Sequence, residues 1–529
     1  MTFDATLATQ RKMVAALQNP TCYPHPVGTI SVIETHISFV LLTGVFAYKI
    51  KKALDLGFVD YSSLGKRHFF CCEELRLNRR LAAQIYLDVV TICGTVENPR
   101  VDGGEEPIEY AVKMTEFDQQ DLLSLALAQD CLTVQQLNSL ATTLAAFHKT
   151  IPPVNPAEPY GSPAVIFAAL EANFVYFHTH SCGNHALLAA LESWCRNKYD
   201  RLRIAFSQRK ATGWVRECHG DLHLGNIVLS RGVPLVFDCI EFNAELRWID
   251  VISDLAFVIM DLSAQQRPDY AWHLLNTWLE EVGDYAGLAL LCFYQVYRAL
   301  VRAKVAHLRS IDEAISPQER QAAWSSATVY LNYATTLIAP VPCALLITHG
   351  FSGSGKSTLS RSIAAPLHAI CLHSDVERKR LHGLSQHENS RSGIGTGIYT
   401  RSATIATYEH LAILAHTVIQ AGYPVIIDAA CLLRDQRDCF REVAQHAGVP
   451  LLILDCHAPE AILQQRMATR HKEGNDPSEA TPAVFAQQFK GAEPLSPEEQ
   501  KTTLTINTVN DDPADILAKI RWRLRTETT

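Results

Sequence analysis

A chain of 529 residues, 48% hydrophobic and 19% charged, is too long for one hydrophobic core and has a globular composition, so two or more domains are expected, two being the simplest count. Its formal net charge is −8, with the acidic excess almost wholly before residue 340, which argues against nonspecific nucleic-acid binding because that needs clustered cations. No run of about 20 uncharged apolar residues offers a membrane span, the N-terminus lacks a secretory pattern, and the 15 cysteines form no C-x-x-C pairs. These features predict a reduced, cytoplasmic protein.

Residues 27–50, "VGTISVIETHISFVLLTGVFAYKI", hold β-rich runs broken by "ETH" and "TG" and predict three short antiparallel strands. "EELRLNRRLAAQIYL" then places Leu77 and Leu81 on one helical face, and "EYAVKMTEF" reads as a further strand. Helical patterns dominate from about 120 to 215, interrupted by the loop "IPPVNPAEPYGSP". A hairpin follows: "NIVLS", a turn at Arg231 and Gly232, then "PLVFD". Helices continue to about 335, and the proline pair in "IAPVPC" at 338–343 predicts a boundary between domains 1–337 and 338–529. Beyond it the strands "CALLITHG", "HAICLHSD", "YPVIIDA" and "PLLILDC" alternate with helices, the signature of an α/β domain with a parallel doubly wound sheet.

"GFSGSGKS" satisfies G-x-x-x-x-G-K-[ST] between an apolar strand and a helix, the context that a P-loop requires. Gly350, Ser352, Gly353, Ser354, Gly355 and Thr358 would close backbone N–H groups around nucleotide phosphates. Lys356 would reach the β- and γ-phosphates, and Ser357 would hold Mg²⁺. Asp428, ending "YPVIID", is a second candidate metal ligand, with helix capping as the alternative. Asp375 and Arg378, in a strand-end D-x-x-R, resemble the acceptor element of P-loop kinases of small molecules and polynucleotide ends. The resemblance implies that Asp375 takes the acceptor hydroxyl's proton and that Arg378 contacts the acceptor. Arg466 and Arg470, at i and i+4, resemble the lid arginines of the same kinases, which close on the phosphoryl group.

The earlier stretch "HGDLHLGN" sets Asp221 and Asn226 five apart, as in the D-x-x-x-x-N loop of kinases, and the hairpin after it returns Asp238 beside that loop. This pattern resembles the aminoglycoside phosphotransferase and choline kinase branch of the α+β kinase-like fold, over roughly residues 25 to 310. The resemblance implies Asp221 as the catalytic carboxylate and Asn226 and Asp238 as Mg²⁺ ligands. It also implies a strand lysine on the α/β-phosphates, Lys49 or Lys51 with Lys49 favoured, paired to a helix carboxylate, Glu74 or Glu73. Asp250 and Asp254 fall where this family supports its catalytic loop and read as structural. In place of the protein-kinase glycine loop stands "IETHISF", with Thr35, His36 and Ser38 as alternative donors. A two-metal phosphatase would also use D-x-H, but its further Asp, Asn and His clusters are missing, which leaves His219 and His223 as loop-bracing residues.

The whole chain resembles bacterial proteins described as bifunctional aminoglycoside phosphotransferase and ATP-binding proteins. That resemblance implies two Mg·ATP sites, each phosphorylating a hydroxyl on a small-molecule or nucleotide-like acceptor. The alternatives are a regulatory ATP-sensing role for one half, or a nucleic-acid 5′-end kinase in the C-terminal half.

Overall fold

The computed structural model describes residues 6–57, 59–104, 106–180, 184–393, 395–473 and 482–527. They form two compact units, one of residues 1–176 with 199–261, the other of 177–198 with 262–529. The proline pair at 340 and 342 therefore lies inside the second unit.

The first unit opens with the helix Leu7–Ala16, capped by the Thr6 side chain, which accepts a hydrogen bond from the Thr9 amide. The strands β1 (Ser31–Glu34), β2 (Ser38–Leu42), β3 (Phe46–Lys51), β4 (Tyr86–Gly94), β5 (Pro99–Val101) and β6 (Pro107–Thr115) form one antiparallel sheet in the order β1-β2-β3-β6-β4-β5. The period of two along β3 decides which face does chemistry. Tyr48 and Ile50 enter a core with Met13, Val14 and Leu17, whereas Ala47 enters another with Cys71, Ala82, Tyr86 and Val112. Lys49 and Lys51 thus share the Ala47 face, which is covered by the helix Leu64–Ala82.

Further along, β7 (Val215–Glu217) runs directly into the His219 loop and is held by pairing with β10 (Trp248–Asp250). Between them, β8 (Ile227–Ser230) and β9 (Val233–Val236) make the expected hairpin. Its two turn residues, Arg231 at φ 51° and Gly232 at φ 81°, both lie in the left-handed region, which suits the twist of the flanking strands.

In the second unit β11 (Leu345–His349), β12 (Ile370–His373), β13 (Val425–Asp428), β14 (Leu451–His457) and β15 (Thr503–Asn507) form a fully parallel sheet, order β12-β13-β11-β14-β15. The strand-and-helix alternation of the sequence points to the first four. β15 escapes it because "TLTIN" is threonine-rich and buries only Ile506 fully. The helix Pro268–Val282 lies along edge strand β12 and takes the place of a neighbouring strand. Asn276 Nδ2 donates to the Ala369 carbonyl (3.1 Å), and its Oδ1 accepts from the Cys371 amide (2.7 Å). Trp272 stacks on His368 with ring centroids 5.2 Å apart.

Among the described residues no helix is long and apolar enough to cross a membrane, and the described cysteines are free thiols.

Candidate active sites

In the first unit, several side chains singled out in the sequence meet beside β3. Lys49 Nζ lies 2.8 Å from Glu74 Oε1 and 2.5 Å from Asp238 Oδ1. Lys51 sits deeper, fully buried, 2.7 Å from Glu74 Oε2 and hydrogen-bonded to Glu241. Glu73 instead pairs with Arg76 on the outer side of the helix. Of the alternatives left open by the sequence, Lys49 and Glu74 are therefore the pair that Asp238 joins.

The electrostatics follow from this arrangement. Burial alone would lower the Lys49 ammonium, but Asp238 and Glu74 outweigh it and hold the group charged. Burial alone would raise the Glu74 carboxyl, yet Lys49 and Lys51 pull it down to about 2. Glu74 is thus a fixed anion with one cation on each oxygen.

The loop 219–226 is built by backbone bonds to buried carboxylates. Asp254 accepts from the amides of His219 (3.1 Å) and Gly220 (2.8 Å) and contacts His148 Nε2 at 3.2 Å. Burial would raise this carboxyl, but His148, His219 and the Gly220 amide bring it to about 2. Asp250 is clamped by Arg209 at 2.6 and 2.8 Å. Asp261, seven residues beyond Asp254 on the same helix, accepts from the Leu224 amide at 2.9 Å. Gly220 has φ 87°, and a Cβ there would lie 2.6 Å from the Leu246 carbonyl, so only glycine allows this approach.

Asn226 Nδ2 donates to the carbonyl and to Oδ2 of Asp221, both at 3.0 Å, which holds the candidate catalytic carboxylate and the candidate metal ligand in register. The Phe237 amide donates to the Asn226 carbonyl (2.9 Å), and His219 Nε2 meets the Phe237 carbonyl (2.9 Å), tying the end of the hairpin to the loop. Asp238 itself adopts φ 62°, a strained value for a residue with a side chain, and its amide donates to the Tyr86 hydroxyl at 3.2 Å. The next amide, Cys239, donates to Asn78 Oδ1 at 2.8 Å. His219 is buried, and that burial lowers its pKa. His223 Nδ1 accepts from the Gly225 amide at 3.0 Å. Both histidines brace the loop. Thr35 turns its hydroxyl onto the backbone of Ser38, accepting from that amide at 3.0 Å.

In the second unit, β11 leads into a loop in which Gly350, Gly353 and Gly355 take φ 138°, 83° and 87°. A Cβ on Gly353 would stand 2.8 Å from the Leu463 carbonyl. The loop ends at the helix Lys356–Ala364, and Lys356 Nζ curls back to the carbonyls of Gly350 (3.0 Å) and Phe351 (2.8 Å). A cavity of about 540 Å³ opens from it, lined by Ser352, Lys356, Ser357, Thr358, Asp375, Arg378 and Asp428 among others. Asp428 is hydrogen-bonded by His373 at 2.6 Å; burial would raise its carboxyl, but His373, Ser357 and Lys356 hold it at about 2.

Arg378, nine-tenths buried, donates through Nη1 to the Ile398 carbonyl (3.1 Å) and lies over the Tyr399 ring at 5.1 Å. Its Nε makes no hydrogen bond among the described residues and stands 3.9 Å from Asp375 Oδ1. Arg466 is occupied in bracing the P-loop, donating to the Gly353 carbonyl (3.3 Å) and to the Thr508 hydroxyl (3.1 Å) and carbonyl (3.2 Å). The side chain of Arg470 lies outside the described residues. Ser354 is buried beneath the loop, its carbonyl accepting from the Thr508 hydroxyl at 2.7 Å, and the Ser352 amide donates to Gln488 at 3.0 Å.

Several of these partners were hidden in the sequence. Asp261 had a usable signal in its helical spacing from Asp254. Asn78, Tyr86, Glu241, His148 and Thr508 had none, because their roles depend on distant backbone groups.

These features define a kinase-like domain followed by a P-loop kinase domain with a parallel sheet. Comparison with known proteins returns the same pair: residues 71–291 match the model of the "Phosphotransferase enzyme family" and residues 345–495 match that of the "AAA domain". Uncharacterized proteins of Mycobacterium tuberculosis and Mycobacterium bovis are 29% identical to it over 473 residues, spanning 88% of this chain and 92% of theirs. Among solved structures, an amicoumacin kinase in complex with AMP-PNP, Ca²⁺ and Ami aligns at 12% identity and TM-score 0.38, over 61% of this chain and 93% of its own. A putative kinase from Chloroflexus aurantiacus aligns at 23% identity and TM-score 0.29, over 35% of this chain and 99% of its own.

Proposed function

We propose that this protein is an ATP- and Mg²⁺-dependent phosphotransferase with two nucleotide sites, each passing the γ-phosphoryl group to a hydroxyl of a small-molecule or nucleotide-like acceptor in the cytoplasm. The residues named for the first site fall within 1–337 and the phosphate-gripping and acceptor residues of the second within 338–529. The observation that carries the reading is the Lys49–Glu74–Asp238 cluster beside the Asp221–Asn226 loop: a charged lysine, held by one buried carboxylate and one half-exposed carboxylate, is the arrangement that phosphate binding requires.

The residues fit the groups that they would hold. Asn226 and Asp238 offer oxygen donors, the kind suited to a hard divalent ion, and Asn226 Oδ1 is left as an acceptor while Nδ2 is engaged with Asp221. At the P-loop, the Leu463 backbone leaves no room for a Cβ at Gly353, which keeps the loop backbone close-packed, and Ser357 with Asp428 offers oxygen donors lining the cavity. Bound Mg²⁺ would neutralise charge on the transferred phosphoryl group.

The chain's own residues then divide the work. Lys49 contacts the α- and β-phosphates, and Asp221 orients the acceptor hydroxyl and receives its proton; Asn226 and Asp238 hold the ion. In the second site the amides of 350–358 and Lys356 grip the phosphates. Asp375 receives the acceptor's proton, Arg378 binds the acceptor, and Arg466 and Arg470 would close on the phosphoryl group. Incubation with labelled ATP and a metabolite extract tests this. Asp221→Asn should remove one set of labelled products and Lys356→Ala the other, and unchanged labelling in both variants would sink the proposal.

A further inference from the structure

The P-loop cavity includes a carboxylate from outside the segment that matches a P-loop family. Glu280, on the helix Pro268–Val282, lines the same cavity as Lys356, Ser357, His373 and Asp428, whereas the match begins at residue 345. Glu280 is reached through His373, the last residue of β12. His373 Nδ1 is 2.6 Å from Asp428 Oδ2, and Nε2 is 2.9 Å from Glu280 Oε1. The ring thus bridges the two carboxylates, one at each nitrogen. Ser357 lines the same cavity as Asp428.

A continuous chain of contacts results: Asp428, His373, Glu280. Its far end is fixed, because Asn276 bonds the helix to the β12 backbone and Arg380 donates to the Glu280 carbonyl. A ring anchored at one nitrogen can swing about the remaining bond. Anchored at both, it fixes the plane in which Asp428 presents its second oxygen. Ligands held in this way bind metal without further ordering at the moment of binding.

We propose that Glu280 is a positioning residue of the P-loop site, holding His373 so that Asp428 is oriented toward Ser357 and the divalent ion of the nucleotide. The inference rests on the reading of this site as an Mg·ATP site. It also makes the helix Pro268–Val282 a functional part of the P-loop unit.

The test uses the full chain in an Asp238→Asn background, which weakens metal-dependent binding at the first site, with a fluorescent ATP analogue titrated with Mg²⁺. Glu280→Ala should raise the half-saturating Mg²⁺ concentration about fivefold or more while leaving analogue affinity in EDTA within twofold. Glu280→Gln keeps an oxygen that accepts from Nε2 and should stay within threefold of the parent. An unchanged Mg²⁺ requirement in Glu280→Ala would overturn the proposal. So would a parallel loss of binding in EDTA, which would mark Glu280 as a support of the fold alone. Lys356→Ala serves as the separate check: if binding in the parent does not depend on Lys356, the Mg·ATP reading falls first and the role of Glu280 with it.

Discussion

Glu74→Ala removes a fully buried carboxylate that two buried ammonium groups share, with Lys49 at 2.8 Å and Lys51 at 2.7 Å. A shift of the carboxyl from its ordinary 4.5 to about 2 corresponds to about 3 kcal/mol of native-state stabilisation at ~1.4 kcal/mol per pH unit. Deleting one partner of a buried pair costs about 3–5 kcal/mol on general grounds. Here Lys49 keeps Asp238 and Lys51 keeps Glu241, so the loss belongs near the lower figure. Because the folded pKa is depressed, this stabilisation is fully present above pH 4.5 and disappears as the pH falls through about 2. Hydrogen exchange in peptides from the helix Leu64–Ala82 and β3 reads it directly: about 3 kcal/mol makes opening roughly 100-fold more populated at neutral pH, and the gap from wild type narrows on acidification. Glu73→Ala, which loses a half-exposed pair with Arg76, should change by less than ~1 kcal/mol. If Glu74→Ala exchanges within threefold of wild type at pH 7, Glu74 does not hold the two lysines in the way described.

Asp221→Asn should lower acceptor-dependent transfer at the first site by about 10²–10⁴ while ATP still binds, as followed by single-turnover label transfer. Lys356→Ala should reduce the calorimetric ATP stoichiometry from two sites to one. Gly220→Ala forces a side chain into φ 87° and against the Leu246 carbonyl, and should cost about 2 kcal/mol or more together with first-site activity, seen as a lower melting temperature. Asn276→Ala leaves the Ala369 carbonyl and Cys371 amide without partners, about 1–3 kcal/mol each, and β12 should exchange faster while β14 stays unchanged.

Much of the chemistry was legible in the sequence because it rests on short-range rules. The P-loop glycines announce positive φ values, the Asp221–Asn226 spacing encodes one loop, and the hairpin turn at Arg231 and Gly232 returns Asp238 to it. The choice between Lys49 and Lys51 was not legible. Both residues lie on one face of β3, and only their depth against the helix Leu64–Ala82 separates them. β15 was missed because an edge strand of a parallel sheet can be half polar. The Glu280–His373 contact spans 93 residues and follows no period, so no local pattern could reveal it.

The Asn276 bridge also bears on how the protein can be divided. β12 is an outer strand of its sheet, and on its free side the Ala369 carbonyl and the Cys371 amide are bonded by a helix that precedes the proline pair at 340 and 342. A fragment starting at residue 338 would expose the outward backbone groups of Ile370–His373, with apolar side chains on both faces, as a template for strand addition. Such a fragment should self-associate, whereas one beginning ahead of Pro268 would carry its own protection against aggregation.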